Sequence, residues 1–226
     1  MIVDIRGTNT RNKGAQLMLE VICAQIGDKF ELTHPPFGTD YHVRARLGLR
    51  QTLYEPVFPR LSSLLGNAAP GRIRREYGLV SNGEIGGVLD ASGFLYTDQF
   101  DVSLPRREAL VGREWARRGV RKIMLPQAFG PFDHPGTRRW SREALEQAGL
   151  IFVRDRVSED HLRGLGITTP VVRSPDFTIG AKPAEIEPIC DGPFVALVPN
   201  NKLFTHGKFD RRQYVNLFVA YEAAVK

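Results

Sequence analysis

The sequence predicts an α/β protein in which a mostly parallel sheet is covered by helices on both faces. Short apolar runs alternate along the chain with segments of helical periodicity, and this alternation is typical of strand–helix–strand units. The composition is that of a globular protein, because 42% of the 226 residues are hydrophobic and 25% are charged. A chain of this length can bury a sizeable core.

The apolar runs and the cysteines of the sequence argue against a membrane-spanning protein and against a disulfide-rich or zinc-binding one. No run of 18 apolar residues occurs, so we expect no membrane-spanning helix. The two cysteines, Cys23 and Cys190, are too few and too far apart for a disulfide framework or a zinc site. We therefore expect a protein of the reducing cytoplasm without a bound metal.

Six apolar runs predict the strands of a first domain that spans residues 1–182. These strands are expected at residues 1–6, 29–33, 86–90, 122–126, 150–154 and 171–173. Helical periodicity predicts helices at residues 14–26, 106–118, 137–148 and 158–165. The segment 34–82 has no clear strand pattern, and we expect it to be an irregular, arginine-rich insertion with helical pieces.

A change of composition near residue 182 predicts a domain boundary. Residues 181–193 contain three prolines and mixed charges, which is typical of a linker. A further strand is expected at 194–199 and a further helix at 211–226. Residues 193–226 are too few to fold as an independent domain, so we expect the first strand–helix unit of a truncated second domain.

The turn after the first strand has the composition of an anion site. Residues 7–14 read GTNTRNKG and open directly onto the first predicted helix, whose N-terminal amides attract negative charge. Asn12, Lys13 and Gly14 are the candidate ligand-binding residues of this turn. The alternative is that Asn12 only caps the helix and that Lys13 is solvated.

Polar residues also follow the third and fourth predicted strands. Asp90 ends an apolar strand, where a carboxylate is unexpected unless it has a partner, and it is a candidate base or sugar ligand. Ser92 and Gly93 follow it as candidate substrate-binding residues, and the alternative is that they are only the turn residues of an Asx turn. Gln127 comes after the next strand as a hydrogen-bonding candidate, or as part of a loop made rigid by Pro126 and Pro131.

The last two strands of the first domain also end in charged residues. Arg154 stands at a strand end, where its planar guanidinium can hold a carboxylate or phosphate with two hydrogen bonds. Ser158 can cap the next helix or bind a ligand, and Asp176 lies beyond the final strand. The alternative is a structural ion pair of Arg154 with Asp155 or Asp176.

Five segments in this order resemble the polysaccharide pyruvyl transferase family. They read NKGAQLML, VLDASGFLYTDQF, PQAFGPF, IFVRDRVSEDHLRGLGI and SPDFTIG, and they extend over about residues 1–180. Each segment alone is weakly specific, but the five in one order make a specific signal. The resemblance implies two Rossmann-like domains arranged as in GT-B glycosyltransferases.

The resemblance also implies an activity. Members of the family move pyruvate from phosphoenolpyruvate onto a sugar as a ketal, without a cofactor. In this chain, Lys13 and Arg154 would hold the donor anion, and Asp90, Gln127 and Asp176 would position the sugar. His206, after the first strand of the second domain, would be an acid–base group. The alternatives are a GT-B sugar-nucleotide glycosyltransferase and a non-catalytic glycan- or partner-binding half.

The distribution of positive charge along the sequence indicates which macromolecular partners to expect. The net charge is +6, and residues 42–75 contain seven arginines and one glutamate. Such a stretch can meet a lipid-linked diphosphate at the inner face of a membrane, although a solvated helical face is the simpler interpretation. We expect no nucleic-acid partner, because no basic motif carries interleaved aromatic residues.

Overall fold

A computed structural model of the chain describes residues 1–53, 70–183 and 210–225, together with isolated positions between 185 and 198. The chain divides into two compact units, Met1–Lys182 and Pro183–Lys226. The first unit contains an eight-stranded sheet in which all neighbouring strands are parallel. This confirms the predicted α/β fold class.

The strands of the first unit are joined by helices in nearly every connection. The strands are β1 (Ile2–Arg6), β2 (Glu31–His34), β3 (Arg50–Thr52), β4 (Leu79–Val80), β5 (Ile85–Asp90), β6 (Arg121–Gln127), β7 (Leu150–Val153) and β8 (Val171–Arg173). The helices are α1 (Lys13–Ile26), α2 (Tyr41–Arg46), α3 (Gly71–Glu76), α4 (Ser103–Arg117), α5 (Pro135–Glu146) and α6 (Arg156–Leu165), with short 3₁₀ helices at Asn82–Glu84 and Phe177–Gly180.

Both faces of the sheet are covered, as the alternation of side chains along β1 demonstrates. Val3 and Ile5 pack with Leu19 of α1 in one hydrophobic cluster. Ile2 points to the other face and packs against the cluster that contains Trp115 of α4. Successive residues of a strand point to opposite faces, so one short strand contributes to both layers of the core.

The segment 34–82 differs from its predicted irregular structure. β3 and β4 lie in it, and they extend the sheet beyond β2. They are three and two residues long, too short to show a period-two pattern. Backbone pairing, of β3 with β2 and of β4 with β3, defines them rather than a run of apolar side chains. Residues 54–69 lie outside the described part of the chain.

The strand order places β1 and β5 side by side at the centre of the sheet. The order is β4-β3-β2-β1-β5-β6-β7-β8, so the connections run outward in both directions from the β1–β5 pair. Arg6 and Asp90 are register partners at the carboxyl end of this pair. Such a reversal creates a crevice beyond the strand ends, which is where open parallel sheets bind ligands.

The second unit contains α7 (Arg211–Val225), which begins at the predicted residue. The Asp210 carboxylate accepts a hydrogen bond from the Gln213 amide at 2.9 Å, as expected of a residue at a helix start. The strand predicted at 194–199 falls largely outside the described residues. Among the helices that the structure describes, none has the length and apolar character needed to cross a bilayer.

Candidate functional site

A cavity of about 360 Å³ opens at the carboxyl ends of β1, β2 and β5. We call it the switch-point cavity, since it lies at the reversal of the strand order. It is lined by Arg6, Gly7, Thr8, Asn9, His34, Pro35, Phe37, Gly38, Ser92, Leu95, Arg107 and Glu108. Its walls therefore come from three strand-end loops and the first turns of α4, and it is large enough for a small polar ligand.

Gly7 allows the loops after β1 and β5 to touch. Its φ of +80° is in the left-handed region, and a Cβ built on it would lie 2.3 Å from the Cα of Ser92. Neither the dihedral nor the approach is compatible with a side chain. This contact brings Ser92, one of the predicted binding residues, into the cavity wall.

Asp90 organises the loop that follows β5. One of its carboxylate oxygens, Oδ1, accepts hydrogen bonds from the Ser92 amide at 3.0 Å and the Ser92 hydroxyl at 2.5 Å. The other oxygen, Oδ2, accepts from the buried Tyr96 hydroxyl at 2.8 Å. Burial, and then the negative charge of Asp90, raises the pKa of Tyr96 well above its ordinary value. Asp90 is 1% exposed, so its observed contacts are those of an orienting group beneath the cavity.

Three predicted residues join Asp90 and Ser92 in a hydrogen-bonded network across the β5, β6 and β7 loops. The Gln127 amide donates to the Asp90 carbonyl at 3.4 Å. The Gly93 carbonyl accepts from the Ala128 amide at 3.0 Å. The Ser158 hydroxyl is buried beside these loops, so it holds them in place rather than facing the cavity.

The contacts of Ser158 explain its burial. Its hydroxyl accepts from the Phe129 amide and donates to Asp155, both at 3.0 Å. Asp155 is the N-cap of α6, and its Oδ1 accepts from the Ser158 amide at 2.7 Å. Asp155 therefore takes the capping role that the sequence suggested for Ser158.

His34 forms an unpredicted part of the cavity wall. Its Nδ1 lies 2.7 Å from the Pro35 carbonyl oxygen, and its Nε2 lies 2.8 Å from the Thr8 hydroxyl. Burial lowers the pKa of His34 to about 4, and the charge of Arg44 acts in the same direction. The imidazole is consequently neutral near pH 7.

The cavity also contains charged groups on two of its walls. Arg107 places Nε and Nη2 at 3.2 Å and 3.1 Å from Oε1 of Glu108, and its side chain is 41% exposed. Arg6 places Nε at 2.9 Å from the buried carboxylate of Asp4 and lies 4.7 Å from the Trp115 ring centre. Burial raises the pKa of Asp4, although Arg6 opposes this shift. Each guanidinium group therefore contacts a carboxylate, and the Arg107–Glu108 pair lies in the cavity wall.

The predicted residues of the first turn lie outside the cavity wall. The Asn12 side chain accepts from the Gly14 amide at 2.9 Å and from the Ala15 amide at 3.3 Å, so it caps α1. Lys13 donates to the Gln16 side chain at 3.1 Å on the exposed side of the helix. This geometry matches the alternative of a cap and a solvated lysine.

Arg154 and Asp176 form an ion pair, with 3.3 Å between Nη1 and Oδ2. Neither residue is among those that line the cavity. Burial acts to raise the pKa of Asp176, but hydrogen bonds from Thr178 and the charge of Arg154 outweigh it and lower this pKa. The pairing is one of the two structural alternatives considered for Arg154. His206, the predicted acid–base residue, lies outside the described residues.

Three residues of the cavity wall were not predicted from the sequence, namely His34, Arg107 and Glu108. His34 is the last residue of β2, one position beyond the predicted strand, so inspecting strand ends would have found it with the correct boundary. Arg107 and Glu108 belong to a helix, and no local signal places them at the cavity. Only the packing of α4 on the sheet does so.

Metal binding finds no support in the described part of the chain. No three His, Cys, Asp or Glu side chains come together there in a way that could hold an ion. The arginines suit an anionic ligand, because guanidinium groups pair well with carboxylates and phosphates.

Three comparisons with known proteins bear on the family to which the chain belongs. A family model described as polysaccharide pyruvyl transferase matches residues 12–223, nearly the whole chain. No curated protein and no solved structure matches the chain. The chain therefore belongs to the polysaccharide pyruvyl transferase family.

Proposed function

We propose that the protein transfers pyruvate from phosphoenolpyruvate to a sugar of a cell-surface polysaccharide, forming a cyclic ketal. Family membership indicates a polysaccharide pyruvyl transferase. The choice of donor rests on one observation, which is the half-exposed guanidinium of Arg107 in the switch-point cavity. A small anion can reach this group without the protein unfolding.

Phosphoenolpyruvate requires cations because it carries a carboxylate and a phosphate. Arg107 already pairs with a carboxylate oxygen of Glu108, so its fork is oriented for an oxyanion. In the proposed complex, one of these donors turns toward the substrate, and Arg6 adds positive charge on the other wall. Lys13 and Arg154, the anion contacts predicted from the sequence, lie outside the residues that line this cavity and are not part of the proposed complex.

The reaction conserves atoms and charge in three steps. The C2–C3 double bond takes a proton at C3 from a general acid, for which His206 is the predicted group, and C2 becomes electrophilic. A sugar hydroxyl oxygen attacks C2 and releases its proton. The C2–O bond to phosphate then breaks, and phosphate leaves with the electron pair. A second hydroxyl oxygen attacks C2 and closes the ketal, and its proton passes to the departing phosphate, while the proton released by the first hydroxyl restores the general acid. Asp90 contributes by orienting Ser92 at the cavity wall.

The acceptor is proposed to be a sugar or lipid-linked glycan presented at the inner face of the membrane. The arginine-rich stretch supplies the positive surface for a peripheral contact. Arg44 is an exception within it, because it is buried and donates to Gln51 at 3.0 Å as a structural residue. Arg46 is 67% exposed and lies 3.5 Å from the Glu20 carboxylate at the surface.

Calorimetric titration of phosphoenolpyruvate into the full chain tests the donor. We expect Arg107→Met to weaken binding roughly 10-fold or more, as loss of a charge-assisted contact predicts. Arg117→Met is the matched control, because Arg117 is on the same helix about 15 Å farther along and pairs only with Glu114 among the ion pairs of the described residues. Equal affinity of both variants would contradict the proposal.

A further inference from the structure

We propose that the Thr8 hydroxyl is a pure hydrogen-bond acceptor that selects a hydroxyl group of the acceptor sugar, and that His34 is the positioning residue that enforces this role. The inference rests on the proposed function, since it assigns the sugar side of the same cavity. Thr8 and His34 both line the cavity. They are 6% and 1% exposed, so their mutual contact is shielded from water.

His34 contacts the Pro35 carbonyl and both the hydroxyl and the backbone of Thr8, and its 2.7 Å contact with Pro35 indicates the tautomer. Nδ1 lies 2.7 Å from the Pro35 carbonyl oxygen, which can only accept a hydrogen bond, so Nδ1 carries the proton. In the neutral ring, Nε2 is then a bare acceptor. The lowered pKa of His34 agrees with a neutral ring.

The tautomer of His34 in turn determines the direction of the Thr8 hydroxyl. Nε2 lies 2.8 Å from Thr8 Oγ1, and a bare nitrogen can only accept. The single hydroxyl proton of Thr8 is therefore directed at His34. What remains at Oγ1 is a pair of acceptor sites.

An acceptor-only oxygen discriminates between the two substrates of a pyruvyl transferase. Oxygens of an ionised phosphate or carboxylate offer no proton and are repelled by Oγ1, whereas a sugar hydroxyl can donate to it. A free threonine hydroxyl would instead donate to a phosphate. Thr8 therefore disfavours the anion at this part of the wall, and the arginines receive it.

The tautomer can be observed directly in the intact protein. A long-range ¹H–¹⁵N correlation spectrum of the histidine rings distinguishes a protonated nitrogen from a bare one. We expect His34 near pH 7 to show a protonated Nδ1 and a bare Nε2. A protonated Nε2 would overturn the inference, because Thr8 would then be free to donate to an anion.

The ligand preference is tested with methyl glycosides of galactose, glucose and mannose, and with their mono-deoxy analogues, followed by ligand-observed NMR. Thr8→Val should weaken binding of the preferred glycoside roughly 5- to 10-fold, as loss of one hydrogen bond predicts. One deoxy analogue should bind wild type and Thr8→Val equally, because it lacks the hydroxyl that contacts Thr8.

Two control variants complete the experiment. Thr8→Ser restores the hydroxyl and should recover most of the affinity. Thr33→Val removes a hydroxyl that bonds Thr52 at 2.9 Å, next to His34 in the chain but away from the cavity, and it should leave sugar binding unchanged. Sugar binding that is equal in wild type and Thr8→Val would overturn the inference.

The failure of this inference is distinguishable from failure of the proposed function. Binding of phosphoenolpyruvate that Thr8→Val weakens, with no sugar bound by any variant, would overturn the acceptor role of Thr8 while supporting the donor proposal. Sugar binding that depends on Thr8, with no affinity for phosphoenolpyruvate, would support the acceptor role and contradict the proposed donor.

Discussion

The phenolic oxygen of Tyr96 lies 2.8 Å from Oδ2 of Asp90, and this hydrogen bond connects the hydrophobic core to the cavity wall. The Tyr96 ring belongs to the core cluster and stacks on Phe129 at a centroid distance of 6.0 Å. The opposite oxygen of Asp90 holds Ser92, which lines the switch-point cavity. Asp90 thus links the hydrophobic core to the wall of the candidate site.

Removal of the Tyr96 hydroxyl tests the contribution of its hydrogen bond with Asp90 to stability. Tyr96→Phe leaves a buried carboxylate oxygen without its donor, and we expect it to lower the free energy of unfolding by about 1–3 kcal/mol. Urea denaturation measures the change. Tyr77→Phe, at a side chain that is 69% exposed, is the matched control and should be nearly neutral. Equal stability of both variants would show that the Tyr96–Asp90 bond contributes nothing.

A second prediction concerns the close approach at Gly7. Gly7→Ala combines a left-handed φ with a clash against the Ser92 backbone, so we expect a loss of roughly 2 kcal/mol or more in unfolding free energy. In Gly164→Ala, the added Cβ meets open space among the described residues, and this variant should be stabilised by about 0.5–1 kcal/mol. Thermal unfolding of the two variants measures the expected loss of stability in Gly7→Ala and the expected gain in Gly164→Ala. A Gly7→Ala protein as stable as wild type would contradict the close contact between Gly7 and Ser92.

The low pKa of His34 predicts an acid-sensitive stability. Burial lowers this pKa from 6.5 to about 4, so between these values the unfolded chain binds a proton that the folded chain does not. Stability is therefore lost as the pH falls from about 6.5 to about 4, by about 3 kcal/mol in total.

The comparison with His34→Asn isolates this effect. The raised pKa of Asp4 acts in the opposite sense, but it is common to both proteins and cancels in their difference. At pH 7 the variant should be less stable than wild type, because it lacks the contact with Thr8. On acidification to pH 4.5 the gap should narrow, whereas parallel pH curves would contradict the role of His34.

Lys122 is a buried cation with a structural explanation. Burial lowers its pKa, and its Nζ donates to the Ala144 carbonyl at 3.0 Å, near the C-terminal end of α5. The last carbonyls of a helix lack partners within the helix, so Lys122 satisfies one of them. Lys122→Met should cost roughly 1–2 kcal/mol through the unpaired carbonyl.

Lys122→Ala provides the matched comparison. This variant removes the same hydrogen bond and also leaves a cavity, so it should cost roughly 2 kcal/mol more than Lys122→Met. Denaturant unfolding of both proteins separates the two contributions. A methionine variant as stable as wild type would show that the bond to Ala144 has no net value.

The sheet could be predicted from the sequence because most strands are apolar runs followed by amphipathic helices. β1 and β5 are clear for this reason, and their predicted boundaries differ from the structure by one residue. β3 and β4 were missed, since two or three residues cannot display a period. Their place in the sheet depends on the pairing of β3 with β2 and of β4 with β3, which is a tertiary property.

Residues of the candidate site could be predicted from the sequence where a residue at the end of a strand contacts the loop that directly follows it. Asp90 and Ser92 are examples, because an Asx-type contact is local and the carboxylate stands out in an apolar strand. Arg107 lies on a helix and reaches the cavity only through packing, so no sequence pattern indicated it. For Arg154 the sequence indicated an ion pair with either Asp155 or Asp176, and only the packing of segments 22 residues apart selects Asp176.

The link that Asp90 makes between the hydrophobic core and the cavity wall has a consequence for engineering. A library that varies Phe129 would shift the ring of Tyr96, and through Asp90 it would also sample new orientations of Ser92. Thermal stability and acceptor range would then co-vary among the selected clones. A library at Arg107, whose described contacts do not include Asp90, would vary the cavity wall without this coupling.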